Sequence, residues 1–84
     1  MYNYLAEFLG TTFFVYVILA TGNPLAIGAA LALILIMGSV YVNPVVSIVM
    51  ASAGKIPTSE IVPQSLAQVF GGLVALEIYK RYRL

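Results

Sequence analysis

Apolar runs dominate the chain, and polar residues gather in short clusters between them. From about Tyr4 to Ala20 the sequence is largely apolar, and Thr21-Gly22-Asn23-Pro24 then supplies a turn. A second run begins at Pro24, a good first-turn residue, and continues through Leu25-Ala26-Ile27-Gly28 to about Gly38. The third stretch, Asn43 to Gly54, is short. Asn43 can cap a helix whose first residue is Pro44, where a missing N–H is no loss. Pro44 to Ser52 then predicts a helix of ~14 Å at ~1.5 Å per residue, about half of a ~30 Å hydrocarbon layer. Gly54-Lys55-Ile56-Pro57 ends it with a glycine stop, a cation and a proline. The last run extends from about Ile61 to Tyr79, with Thr58 or Ser59 as its cap and Glu60 in its positive first turn. Pro63 belongs near the start of that helix, because deeper in it would cost a hydrogen bond. The pattern predicts helix, helix, short helix, helix, with no internal repeat and no linker, so residues 1–84 form one unit.

Composition decides what solvent those helices face. Of 84 residues, 62% are hydrophobic and only 8% charged, against about 25% charged in a soluble domain. No charge occurs between Glu7 and Lys55, nor between Glu60 and Glu77. A chain this short buries only about 60% of its unfolded surface on folding, and the rest would be Leu, Val, Ile and Phe in water. The expected class is therefore an all-α integral membrane protein with three transmembrane helices and one half-length segment, in a membrane the sequence does not specify. The second run is short of the ~20 residues a span needs, so it must tilt or continue to Val42. Tyr2 and Tyr4 fit an interfacial belt at one end, and Tyr79, Lys80, Arg81, Tyr82 and Arg83 an anchor at the other. Leu5 to Ala20 also has the look of a signal peptide, but no Lys or Arg precedes it and apolar character resumes at once. It is read as a mature helix.

The remaining chemistry is sparse. Four basic residues and a net charge of +1 cannot make a phosphate-tracking stripe, so nucleic acid is not an expected partner. Cysteine and histidine are both absent, which removes disulfides, zinc sites and imidazole acid–base work. No metal, cofactor or catalytic residue is expected, and the chain is not read as an enzyme. A half-helix whose N-terminus stops at the bilayer midplane places about half a positive charge and free N–H groups there, as channels and transporters do where irregular backbone lines a cavity. Asn43 adds an amide donor; equally, Asn43-Pro44 fits a turn in a short loop. Glu7 within a span is either a functional carboxylate or a side chain that snorkels to nearby water. Glu77 has Lys80 and Arg81 three and four residues along the same face. Gly10, Gly28, Gly71 and Gly72 suit close packing between helices.

Four strings in register carry a resemblance. Ala6-Glu7-Phe8-Leu9-Gly10-Thr11 looks like the opening helix of the major intrinsic proteins, the aquaporin and glycerol-facilitator family. Asn43-Pro44-Val45-Val46-Ser47 resembles that family's Asn-Pro-Ala-Val-Thr signature, Gly54-Lys55-Ile56 its following turn, and Ala67-Gln68 with Gly71 the Ala-Gln-x-x-Gly of its third helix. Leu25-Ala26-Ile27-Gly28 fits the second helix. The match is collinear and covers nearly the whole chain, but only one half of the family's two-half sequence. The resemblance implies a half-channel for small neutral solutes such as water or glycerol, lined by Asn43, Pro44, Val45, Val46 and Ile27. It also implies that Glu7 and Gln68 brace the re-entrant loop. The chain departs from the family in three ways: the lead into the motif is compressed to Gly38-Ser39-Val40-Tyr41-Val42, the motif's alanine is Val45, and Val46 stands where the second half carries arginine. With Val46 and Ile27 at the filter, the narrowest region should be apolar and free of fixed cations.

One chain supplies one half-helix, so a pore of this type needs a second, inverted half: an antiparallel copy or a separate partner, which could gather into the family's four-pore assembly. In the three-span layout the Lys55 end carries one basic residue and the C-terminal end three, which favours a cytoplasmic C-terminus with some chains inserted the other way. Two other readings compete. Ala-Glu-Phe-Leu-Gly-Thr-Thr also resembles the first helix of the small multidrug resistance exporters, whose matching glutamate binds drug and proton in turn. Those have four full spans and a tryptophan near the site, while this chain has no Trp. A non-conducting structural membrane subunit would need only small size and apolar segments.

Overall fold

The computed structural model describes residues 3–37 and 41–82. Tyr2, Gly38, Ser39, Val40 and Arg83, given roles above, lie outside the described residues. Within them the chain is all-helical: α1 (Tyr4–Thr21), α2 (Pro24–Ile36), α3 (Pro44–Ser52) and α4 (Ile61–Arg81), with a short 3₁₀ turn (Thr58–Glu60) leading into α4.

Asparagine opens three of the four helices. Asn3 Oδ1 accepts from the Ala6 N–H at 2.9 Å, Asn23 Oδ1 from those of Leu25 at 2.8 Å and Ala26 at 3.3 Å, and Asn43 Oδ1 from that of Val45 at 2.8 Å. Each satisfies N–H groups that the first turn leaves without a helical acceptor. Gly22 closes α1 at φ 58°, its N–H donating to the Ile18 carbonyl at 3.0 Å. Gly54, at φ 78°, ends the α3 segment while the Lys55 N–H reaches back to the Met50 carbonyl at 2.9 Å. Both positions need a left-handed backbone that glycine adopts without steric cost.

Two expected boundaries are corrected. The second helix ends at Ile36, close to the expected end, but it does not continue to Val42, because Tyr41 and Val42 are neither helix nor strand. Its 13 residues span only ~20 Å. Neither Thr58 nor Ser59 caps α4: both belong to the 3₁₀ turn, and the cap position is Glu60, which makes no side-chain cap bond. Glu60 Oε1 instead accepts a 2.7 Å hydrogen bond from the Tyr4 hydroxyl. Pro63 does sit in the first turn of α4.

α1 and α4 lie side by side and parallel. Tyr4 meets Glu60 at their starts, Thr12 Oγ1 donates to the Gly71 carbonyl (3.1 Å) midway, and the Tyr16 hydroxyl donates to the Tyr82 carbonyl (3.1 Å) near their ends. Gly71 permits this approach, since a Cβ there would lie 2.6 Å from the Phe8 carbonyl oxygen. α2 packs against α1 alone among the described elements, and α3 against α4 and the 3₁₀ turn. Two continuous helical stretches, Tyr4–Thr21 and Thr58–Arg81, are long and apolar enough to cross a bilayer by length and composition. The interior is unusually polar: the buried side chains include Glu7, Thr11, Ser47, Gln64 and Gln68 beside six apolar ones, while Leu5, Leu9, Phe13, Leu25, Phe70 and many other large apolar residues are exposed.

Candidate functional site

The lead into α3 is held by Glu7. Asn3 caps α1 and accepts the Glu7 N–H on its carbonyl at 3.1 Å, which fixes Glu7 in the first turn. Its carboxylate, on a residue 1% exposed, points into the chain. Oε1 accepts from the Tyr41 N–H at 2.9 Å and the Val42 N–H at 2.6 Å, and Oε2 from Tyr41 at 3.1 Å. Those N–H groups lie in backbone that is neither helix nor strand and have no helical carbonyl to donate to. Charge-assisted bonds to a carboxylate are about twice as strong as neutral ones. They hold Val42 at φ 54°, a left-handed conformation that is a genuine outlier for a β-branched residue. The buried Val42 side chain packs with Ile34 at the end of α2, with Ala6, Phe14 and Leu31 around them. α1, α2 and the lead to α3 thus meet at one point.

Asn43 and Pro44 follow. The cap engages only the Oδ1 of Asn43, so the Nδ2 amide of this exposed residue has no partner among the described residues. Val45 and Val46 are exposed on the first turn of α3, and Pro44 is half-buried. The opposite face of α3 is tied down by a chain of three side chains: Gln68 Nε2 donates to Ser47 Oγ (2.9 Å), which donates to Gln64 Oε1 (3.0 Å). All three are buried. Gln64 and Gln68 are the fourth and eighth residues of the 21 in α4, so this clamp fixes α3 beside the N-terminal half of α4.

The structure therefore brings together Glu7, Gln68 and the Asn43–Val46 turn. It does not bring Ile27 to Val46: Ile27 is half-buried in the first turn of α2, and α2 and α3 do not pack against each other. The four glycines differ. Gly71 is closely packed, and Gly72 has only Val15 Cγ2 at 3.8 Å from a built Cβ. Gly28 faces open space, and half-buried Gly10 lines an apolar groove of about 400 Å³ between α1 and α2. That groove, with Leu5, Leu9, Phe13 and Leu33 on its walls, includes none of Asn43 to Val46.

Sequence reasoning missed Gln64 and the partnership of Ser47. The signal was present: Gln64 and Gln68 are one turn apart on one face of an apolar helix, and two amides there need partners. Thr11 Oγ1 and Gln68 Oε1 are buried without a hydrogen bond. Among the described residues no three His, Cys, Asp or Glu side chains gather as a metal site requires. No protein-family model, no curated protein and no solved structure matches this chain.

Proposed function

We propose that the chain is a membrane-embedded half-channel for small neutral solutes, similar to one half of a major intrinsic protein and completed by a second, inverted half. The observation that carries this reading is the bracing of the short helix α3. Glu7 holds its non-helical lead by two backbone N–H groups, and Ser47 fastens it to the N-terminal half of α4 through Gln64 and Gln68. A nine-residue helix pinned in this way, with polar bonds inward and Val45 and Val46 outward, suits a segment that enters a bilayer partway. The polar interior and apolar exterior support a lipid surround. On this reading α1, α2 and α4 cross the membrane, α2 doing so at a length that requires thinning of the bilayer or a covering partner.

The mechanism follows from the turn. A solute entering the pore replaces lost water contacts with the Asn43 amide, while the positive ends of two opposed half-helices repel cations and protons in a low-dielectric passage. With valine at 46, the passage carries no fixed cation there, so glycerol should pass at least as readily as water. Little in the geometry supports the exporter reading. Its glutamate must be reached by drug and proton in turn, whereas the Glu7 carboxylate is enclosed and engaged by backbone. The test is osmotic swelling of liposomes containing the purified chain alone. The expected result is faster swelling in glycerol and in water than in protein-free liposomes, unchanged by an imposed pH gradient. Swelling equal to that of protein-free liposomes would sink the channel; glycerol exclusion with fast water flow would sink the selectivity assignment.

A further inference from the structure

On the C-terminal half of α4, Phe70, Leu73, Val74 and Ile78 form the floor of an open groove of about 310 Å³ whose outer end is walled by Glu77, Arg81 and Tyr82. We infer that this groove is a seat for an anionic phospholipid, its phosphate at Arg81 and one acyl chain along Ile78, Val74, Leu73 and Phe70. The inference rests on the reading of α4 as a membrane span.

Two observations select this occupant. The first is charge. Glu77, the acidic group in the groove, is paired with Lys80 (3.9 Å), and no ion-pair partner of Arg81 occurs among the described residues. The groove thus presents one guanidinium, which suits a phosphate by bidentate geometry. Lys80 and Arg81 both stand at this end of α4 against the single carboxylate of Glu77, so the local field favours an anion. The second is length. Phe70 lies eleven residues before Arg81, ~16 Å along a helix, close to the ~15 Å half-thickness of the hydrocarbon layer. A phosphate at Arg81 would therefore let the chain end at Phe70, near the midplane. The seat is also held in place, since the Tyr16 hydroxyl binds the Tyr82 carbonyl and the Tyr82 N–H bonds to the Ile78 carbonyl at 2.8 Å. The groove between α1 and α2 differs: its walls are apolar apart from Asn3 and carry no cation.

The test uses the full chain with Phe70→Trp, the native sequence having no tryptophan, in phosphatidylcholine vesicles with a small fraction of brominated lipid. Phe70 is 58% exposed, so the larger ring is tolerated. Brominated phosphatidylglycerol should quench this tryptophan with about fivefold higher apparent affinity than brominated phosphatidylcholine. Arg81→Gln should remove most of the difference and Arg81→Lys keep much of it. A Leu9→Trp chain, reporting on the groove without a cation, should show no preference. Equal quenching by both lipids at Phe70→Trp, or a preference untouched by Arg81→Gln, would overturn the seat. So would no quenching in a chain that floats with the vesicles, which would mean that protein covers this face. A chain that does not float with vesicles would overturn the membrane reading itself.

Discussion

Tyr41 and Val42 present backbone N–H groups to the interior in a stretch with neither helix nor strand to receive them, and the Glu7 carboxylate takes both. Removing an acceptor from such groups costs on the order of 1–3 kcal/mol for each left unsatisfied. Glu7→Ala should therefore destabilise the chain by on the order of 2 kcal/mol or more and release the strained Val42. Glu7→Gln should do less, because one amide oxygen at the Oε1 position still reaches both donors. Denaturing-detergent titration followed by circular dichroism measures the first effect and liposome swelling the second, with Gln retaining part of the activity. Equal losses in the two variants would contradict the bracing role. Gly71 gives a second contrast at this scale. Gly71→Ala must push α1 and α4 apart, since its Cβ would meet a backbone oxygen at 2.6 Å, and overpacking of this kind costs about 1–3 kcal/mol. Gly72→Ala would meet only Val15 Cγ2 at 3.8 Å, an ordinary van der Waals contact, and should stay within about 0.5 kcal/mol of the native chain. The same titration distinguishes them; matching values would mean that the helix contact is not close.

The short helix depends on its neighbours more than any other element. Nine residues are too few for a stable isolated helix, and much of α3 is exposed, so its order comes from the buried Ser47 and Ala51 face and the two clamps. Ser47→Ala would leave Gln68 Nε2 and Gln64 Oε1 without their shared partner. Amide hydrogen exchange across Ser47–Ser52 should then accelerate by about tenfold or more, the factor that about 1.4 kcal/mol of lost local stability allows, while exchange in the middle of α1 stays unchanged. Uniform acceleration in all helices would show that Ser47 supports the whole fold and not this element. What was legible here follows from range. The bounds of α3, Pro44 and Ser52, could be read in advance because Asn43-Pro44 and Gly54-Lys55 act within a turn of themselves. The end of α2 could not, because apolar residues continue past it and the backbone at Tyr41 and Val42 is captured by a carboxylate 34 and 35 residues away. The cap of α4 was misplaced: Thr58 and Ser59 fall in a 3₁₀ turn, Glu60 takes the cap position, and its carboxylate accepts from the Tyr4 hydroxyl, 56 residues distant, and caps no backbone N–H. Glu7 was marked by its charge within an apolar run, while Gln64 carried a signal in its spacing from Gln68 but no partner until the fold set Ser47 between the two amides.

At the scale of the molecule, parallel α1 and α4 put the starts of both helices and the 3₁₀ turn that follows Lys55 at one end and the last turn of α4 at the other. A pore built from two copies of this chain needs the second copy inverted, so insertion must be possible both ways. One basic residue against three is a modest bias under the positive-inside rule. A reporter fused after Leu84 should consequently be detected on both sides, with the cytoplasmic side in the majority. The stronger test fixes each orientation. Lys55→Gln with Tyr82→Arg leaves all four basic residues at the C-terminal end, by the loss of one at 55 and the gain of one at 82. Ala53→Lys, Thr58→Lys and Ser59→Lys, all at exposed positions, combined with Lys80→Gln and Arg81→Gln, give four at the Lys55 end and one at the other. Detergent reconstitution would insert either variant in both directions, so the measurement belongs in cells, as osmotic swelling of spheroplasts. Each variant expressed alone should leave the swelling rate at the background value, and the two expressed together should raise it to that of the native chain. If one fixed orientation conducts by itself, the pore does not require an inverted copy. If the pair conducts no better than either alone, this chain does not complete its own channel, and a separate second half becomes the required partner.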